Sequence, residues 1–145
     1  MSLLLLLNPP LYHRSLLDAA DQFLSQEPAV ALVTAHMACE ILVEQLMSAA
    51  FKTRGIADLE EAVTGFFLGS SMGNDRIRKL YVALTGDAIQ KAPFWERFDK
   101  SSALRNKAIH EGRRISPDEG REACAVAREF VAHLEALAKT LSGNP

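Results

Sequence analysis

The residues of this chain that are best suited to chemistry lie in one short run, residues 104–112. Arg105, Asn106 and His110 fall within six consecutive positions of it. Histidine titrates near neutral pH and can transfer the proton of a ribose 2′-hydroxyl or of a leaving 5′-oxygen. Arginine presents a planar set of N–H donors to a phosphate that gains charge in the transition state. These two side chains are the minimum set of catalytic groups for cleaving RNA without a metal ion.

The rest of the sequence predicts an all-α bundle of about five to six helices around this run. The stretch after Pro28 is apolar on nearly every side, which is typical of a central bundle helix. Residues 116–119, Ser-Pro-Asp-Glu, form a capping box with proline at the first helical position. The helices are predicted at approximately residues 12–25, 28–52, 59–68, 75–85, 93–112 and 117–142, with Asp75 as the cap of the fourth. The last helix has an apolar seam, formed by Cys124, Ala127, Val131, Leu134, Ala138 and Leu141.

Length and composition predict a single soluble domain over residues 1–145, with residues 1–11 as an extended N-terminal segment. The leucine run at 3–7 is too short to span a membrane and lacks the flanks of a signal peptide, so we expect no membrane partner. Cys39 and Cys124 lie in apolar helical patterns and are expected to be free buried thiols. We therefore expect the protein to be cytoplasmic, where thiols remain reduced.

Two other patterns point away from common catalytic classes. Residues 69–73 match G-x-S-x-G, but no strand precedes them as in a hydrolase nucleophile elbow, so a loop is predicted. The four histidines and two cysteines show no paired ligand spacing. We therefore expect neither a metal ion nor another cofactor.

Charge is distributed unevenly along the chain, although the net charge is only −2. Residues 76–114 contain ten basic and four acidic side chains, a balance of +6, while the remainder carries −8. This asymmetry can create a local surface for an anionic ligand on an acidic protein. Alternatively, the basic and acidic helices pair with each other.

Helical periodicity gives Arg105 an unusual position. At about 100° per residue it falls near the middle of an apolar stripe, whereas Asp99, Asn106 and His110 cluster at the edge. A buried arginine needs an anionic partner. Glu40 of the second helix is a candidate, flanked by His36 and Glu44 at four-residue spacing. One interpretation is a purely structural Arg105–Glu40 pair with a solvated His110. The stripe is formed by Phe94, Phe98, Leu104, Ala108 and Ile109.

The run from Arg105 to His110 resembles the R-x(4–6)-H signature of the HEPN superfamily, including the polar residue, Asn106, directly after the arginine. The aromatic residues 94–98 before the motif and the capped helix after it are also similar. So is the long second helix, with its Ala35, Glu40 and Leu46 pattern. The resemblance covers most of residues 12–142.

This resemblance implies a helical bundle that forms a homodimer, with two motifs facing each other across a cleft. It also implies a metal-independent endoribonuclease, acting as a toxin or defence effector and controlled by a cognate antitoxin or regulator. Arg105 would hold the scissile phosphate of RNA, His110 would act as general acid and base, and Asn106 would orient His110 or the phosphate. Glu40 and Asp99 are predicted as supporting residues, Glu40 as the orienter of Arg105. The alternatives are a non-catalytic module of this fold, which binds a nucleotide or a protein, and an unrelated helical protein.

Overall fold

The computed structural model of the chain describes residues 12–64 and 71–142. Within these ranges the structure has six α-helices and no strand, which confirms the predicted all-α class. Short 3₁₀ turns at Ala57–Leu59 and Ile89–Lys91 precede α3 and α5. The helices are α1 (Tyr12–Phe23), α2 (Pro28–Thr53), α3 (Glu60–Thr64), α4 (Asp75–Thr85), α5 (Trp95–Glu111) and α6 (Pro117–Ser142).

Helix α2 is the centre of the bundle and packs against α1, α4, α5 and α6. Its apolar residues face several neighbours at once, as its composition predicts. By length and composition alone α2 is able to span a membrane, but 56% of its most apolar window is buried inside the bundle, as in the core helix of a soluble protein. The burial is incomplete, because Val30 and Met37 remain 40% and 44% exposed.

Several predicted boundaries change in the structure. Helix α1 ends at Phe23, where three-residue turns replace the helical pattern: Leu24 N–H bonds to the Asp21 carbonyl at 3.4 Å and Gln26 N–H bonds to the Phe23 carbonyl at 3.1 Å. The N-cap of α4 is Asn74 rather than the predicted Asp75, because the Asn74 side chain accepts from two backbone N–H groups of the first turn. The helix predicted over 59–68 is shorter: a 3₁₀ turn leads into α3, which ends at Thr64. Residues 65–70, with part of the G-x-S-x-G pattern, and residues 1–11 lie outside the described ranges.

The connection between α5 and α6 follows the sequence closely. Helix α5 begins at Trp95, slightly later than the predicted Pro93, and ends at Gly112, whose φ of 66° is the left-handed conformation common at helix ends. The capping box forms as predicted: Ser116 N–H donates to Glu119 at 2.9 Å, and Glu119 N–H donates to the Ser116 hydroxyl at 3.1 Å. A Cβ at Gly120 would lie 3.1 Å from Pro28 Cβ, so the glycine allows α6 to start close to α2.

Aromatic packing fixes α5 against α6. Phe98 stacks on Phe130 with ring centroids 4.2 Å apart, and Phe94 meets the edge of Phe130 at 5.9 Å. Cys39 and Cys124 are free and buried, as predicted. Burial raises the pKa of the Cys124 thiol to about 11, so this thiol remains protonated and behaves as a small apolar side chain.

Candidate functional site

Arg105 lies on the side of α5 that faces α2 and pairs there with Glu40. The Arg105 Nη1 to Glu40 Oε1 distance is 2.9 Å, and the two side chains are 17% and 24% exposed. The predicted partner is therefore confirmed as a contact. The arrangement is incomplete, however, because Arg105 Nε is buried and has no hydrogen-bond partner among residues 12–64 and 71–142. A buried unpaired donor is costly, on the order of 1–3 kcal/mol, so this nitrogen is an unusual feature of the site.

Next to this pair, His36 of α2 contacts Ser101 of α5. His36 Nε2 lies 2.8 Å from Ser101 Oγ, and the imidazole packs against the Phe98 ring at 5.3 Å. Burial, reinforced by the positive charge of Arg105, lowers the pKa of His36 to about 3. His36 is therefore neutral near pH 7. The sequence interpretation did not single out Ser101, although its place four residues before Arg105 puts it on the same helical face.

The carboxylate of Glu40 is in an unfavourable environment despite its ion pair. Burial raises the pKa of Glu40, the nearby Arg105 charge opposes this rise, and Glu44 one turn further along α2 adds to it. Glu44 itself is exposed. The surroundings of the guanidinium thus contain two carboxylates from α2 and a neutral histidine. Arg105 does not create a net positive site within one chain.

The interior side of the Arg105–Glu40 pair is closed. The space between α2, α5 and α6 leaves no room for even a water-sized ligand. The loop before α4 helps to close it: Met72 is fully buried, and a Cβ at Gly73 would lie only 2.3 Å from Ser102 Oγ. A ligand can therefore reach Arg105 only from solvent. This space is lined by His36, Cys39, Glu40, Val43, Ser71, Met72, Phe98 and Phe130.

The other predicted site residues lie on the solvent side of α5. Asp99, Asn106 and His110 are all exposed, and none of them makes a hydrogen bond or ion pair within residues 12–64 and 71–142. His110 follows Arg105 by five residues, which places it about 140° further round the helix. A single chain therefore does not bring the arginine and the histidine together on one face.

One part of the predicted apolar stripe is wrong. Ile109 is 48% exposed, because only the first half of α5 is fully buried against its neighbours. The seam of α6 holds from Cys124 to Ala138, but its last member, Leu141, is 37% exposed. The exposed Ile109 follows Arg105 by one helical turn and therefore belongs to the surface next to the candidate site.

The basic segment is only partly neutralised. Arg97 pairs with Glu122 and Glu129 of α6, and Arg113 pairs with Glu119 at 3.0 Å, so some basic and acidic side chains do pair between helices. Lys107 and Arg114 are exposed and make no ion pair in the described part of the chain. Both lie within the motif or directly after it, so positive charge remains available beside His110.

A second polar cluster was not predicted. Asp87 Oδ2 accepts a hydrogen bond from the Tyr81 hydroxyl at 2.6 Å and lies 2.8 Å from His133 Nε2. This cluster joins the end of α4 to α6, and the His133 ring also meets Phe94 edge-on at 5.4 Å. Burial and the neighbouring Asp87 carboxylate raise the pKa of Tyr81, which therefore remains a donor. No sequence spacing connects these three residues, since they come from separate elements.

Within the described ranges, no group of three or more His, Cys, Asp or Glu side chains is arranged to bind a metal ion. Comparisons of the chain with protein-family models, with curated proteins and with solved structures gave no match. What the fold itself defines is an all-helical bundle with a half-buried arginine–glutamate pair at the edge of its central helix.

Proposed function

We propose that this protein is a metal-independent endoribonuclease that acts as a homodimer, with Arg105, Asn106 and His110 at the dimer cleft. The observation that supports the proposal is the difference in burial among the motif residues of α5. Arg105 is held at the edge of the core, while Asn106 and His110 face solvent without partners among the described residues. Asn106 and His110 therefore have no packing or pairing role among the described residues, and both remain accessible to a ligand from solvent.

In the proposed reaction, His110 removes the proton of a ribose 2′-hydroxyl, and the resulting oxygen attacks the adjacent phosphorus. The bond to the 5′-oxygen breaks, and this leaving oxygen takes up a proton from a protonated histidine. The products are a 2′,3′-cyclic phosphate and a 5′-hydroxyl. Arg105 stabilises the negative charge that grows on the phosphate, and Asn106 orients the phosphate or the histidine.

The proposal includes a homodimer because Arg105 and His110 point to different sides of one helix. Apolar residues surround the arginine pair at the surface: Met37 precedes Glu40 by one turn, and Ile109 follows Arg105 by one turn. Met37 is 44% exposed and Ile109 48% exposed. Covering these side chains with a second copy would bury apolar surface and bring a second His110 towards the cleft.

RNA is the proposed partner on electrostatic grounds. Lys107 and Arg114 are exposed beside the motif and can neutralise phosphates of the backbone. We place the activity in the cytoplasm, where the protein would act as a toxin or defence effector under the control of an antitoxin or regulator. Asp99, exposed six residues before Arg105, makes no side-chain hydrogen bond or ion pair among the described residues that assigns it a role.

The test is cleavage of mixed cellular RNA in excess EDTA by the wild-type protein, by His110→Ala and by Glu111→Ala. Glu111 is the matched control because it is exposed on the next position of the same turn. We expect the wild type and Glu111→Ala to produce cyclic phosphate ends, and His110→Ala to lose activity by about 10²–10⁴-fold. The same cleavage by all three proteins, or by none of them at micromolar concentration, would contradict the proposal.

A separate measurement tests the oligomeric state of the protein. Analytical ultracentrifugation should give a dimer for the wild type and a weaker dimer for Met37→Glu, because this change places a charge on the proposed apolar contact. A monomer at all concentrations that still cleaves RNA would contradict the dimer part of the proposal alone.

A further inference from the structure

We infer that Glu40 is a latch that competes with the RNA phosphate for Arg105, rather than an orienter that presents the arginine to it. This inference rests on the proposed function only for the identity of the anion. The two roles predict opposite effects: removing an orienter weakens phosphate binding, whereas removing a competitor strengthens it.

The geometry of the contact favours competition. Glu40 Oε1 is 2.9 Å from Nη1, a terminal nitrogen of the guanidinium. Nε, the inner donor, is buried and has no partner in the part of the chain that the structure describes. An orienting carboxylate would be expected to occupy the inner donor and leave the terminal nitrogens for the ligand. Here the inner donor is unused, and the carboxylate holds the end of the side chain that a phosphate needs.

Access and charge lead to the same conclusion. The interior side of the pair is closed, so a phosphate must reach Arg105 through the partly exposed edge where Glu40 lies. Glu44, exposed one turn further along α2, adds a second negative charge on the same side. His36 contributes no compensating positive charge, because it is buried and neutral. A phosphate approaching the latched arginine therefore meets two carboxylates and one guanidinium.

The pair is also suited to release. It has one close contact rather than a bidentate one, and burial already disfavours the ionised form of Glu40. Opening the latch means that the Arg105 side chain leaves Glu40 for the phosphate, while Glu40 turns to solvent beside Glu44.

The experiment measures binding of a fluorescein-labelled 2′-O-methyl oligoribonucleotide, which lacks the attacking hydroxyl and is not cleaved. Fluorescence anisotropy at fixed salt compares the wild type with Glu40→Gln, with Glu44→Gln as the matched control, and with Glu40→Gln combined with Arg105→Ala. We expect Glu40→Gln to bind about tenfold more tightly. Glu44→Gln removes the same charge from an exposed position that does not contact the guanidinium, where solvent screens its repulsion of the phosphate, so we expect a gain of no more than about twofold. The gain in Glu40→Gln should disappear in the double variant. Binding by Glu40→Gln that equals or falls below that of the wild type overturns the latch.

Glu40→Asp keeps the inference testable if Glu40→Gln does not fold. The shorter side chain withdraws the carboxylate from Nη1 but retains its charge, so we expect a gain of about threefold, whereas an orienter role predicts a loss. Cleavage of unmodified RNA in EDTA separates this inference from the proposed function. Tighter binding by Glu40→Gln, with no RNA cleavage by any protein, would support the latch and contradict the proposed nuclease activity. RNA cleavage by the wild type, with no gain in affinity for Glu40→Gln, would support the nuclease activity and overturn the latch.

Discussion

The two polar clusters of this molecule differ in how completely their hydrogen-bonding groups are used. Asp87 accepts from Tyr81 and lies within hydrogen-bond distance of His133, so one carboxylate connects α4 with α6. Arg105 and Glu40 share a single close contact, and Arg105 Nε has no partner within the described ranges. Buried polar groups that are fully paired stabilise a fold. The arginine pair instead leaves a buried donor unpaired among the described residues and holds its terminal nitrogens at a partly exposed edge. We therefore treat the first cluster as structural and the second as the candidate site.

The largest expected change in stability comes from a substitution in the structural cluster of Tyr81, Asp87 and His133. Asp87→Ala leaves the buried Tyr81 hydroxyl and the His133 ring without their shared acceptor, so we expect the free energy of unfolding to fall by about 3 kcal/mol. Urea unfolding followed by circular dichroism measures it. Asp87→Asn is the control, because its amide oxygen still accepts one hydrogen bond and should recover part of the loss. A change below about 0.5 kcal/mol for Asp87→Ala would contradict the structural role.

The stability of the protein at acidic pH should depend on His36, which lies next to the Arg105–Glu40 pair. The folded-state pKa of about 3 lies below the unfolded value of 6.5, so the unfolded chain binds the proton more readily between these pH values. This group's contribution to stability is therefore fully present above pH 6.5 and is lost as the pH falls towards 3. We expect acidification from pH 6.5 to about pH 4.5 to remove about 2–3 kcal/mol of stability through this group.

His36→Gln is the variant that isolates this contribution. Urea unfolding of the wild type and the variant at neutral and acidic pH should show a smaller loss on acidification for the variant. His13 is also buried, and burial lowers its pKa against the opposing effect of Glu135, so some acid sensitivity should remain in both proteins. The same acid-induced loss in wild type and variant would show that His36 is not the responsible group.

Removal of Arg105 should have a smaller effect on stability than removal of Asp87. Arg105→Ala strands the Glu40 carboxylate, but this group is 24% exposed and can be hydrated or protonated, so we expect a loss of about 1–2 kcal/mol. Thermal and urea unfolding measure it, with the exposed Lys107→Ala as the control. A loss as large as that of Asp87→Ala would mean that the arginine pair belongs to the structural framework.

The smallest expected effect is that of His110→Ala on stability. His110 is exposed and makes no hydrogen bond or ion pair in the described parts of the chain, so the free energy of unfolding should change by less than about 0.5 kcal/mol. Combined with a large loss of RNA cleavage, this result would identify a side chain with a chemical role and no structural one. A strong destabilisation by His110→Ala would mean that His110 also has a structural role, and a loss of cleavage could then no longer be assigned to chemistry alone.

Much of the fold was predictable from local signals. The capping box at Ser116–Glu119, the glycine that ends α5 and the apolar composition of α2 each act within a few residues of the chain, and each forms as predicted. The boundaries that changed depend on competing local bonds. Asn74 rather than Asp75 caps α4, for example, because its side chain reaches two backbone N–H groups. Such competition between neighbours of similar capping ability is not decided by sequence alone.

The candidate site was predictable only in part. Helical periodicity placed Arg105 on the packed face of α5 and indicated Glu40 as its partner, because both assignments follow from regular helices that pack together. The exposure of Ile109 was missed, since it depends on how far α5 stays in contact with the bundle. Ser101 was missed for the same reason: its contact with His36 depends on the crossing of α5 over α2.

The sequence by itself therefore determined the helical class, the central helix, the caps and the presence of an arginine and a histidine in one motif. These properties follow from periodicity and composition, which act over one or two helical turns. Only the tertiary structure decided which nitrogen of Arg105 meets Glu40, that Nε is left unpaired, and that Tyr81, Asp87 and His133 form one cluster. Those contacts join residues far apart in the chain, and their geometry depends on the angles at which whole helices pack.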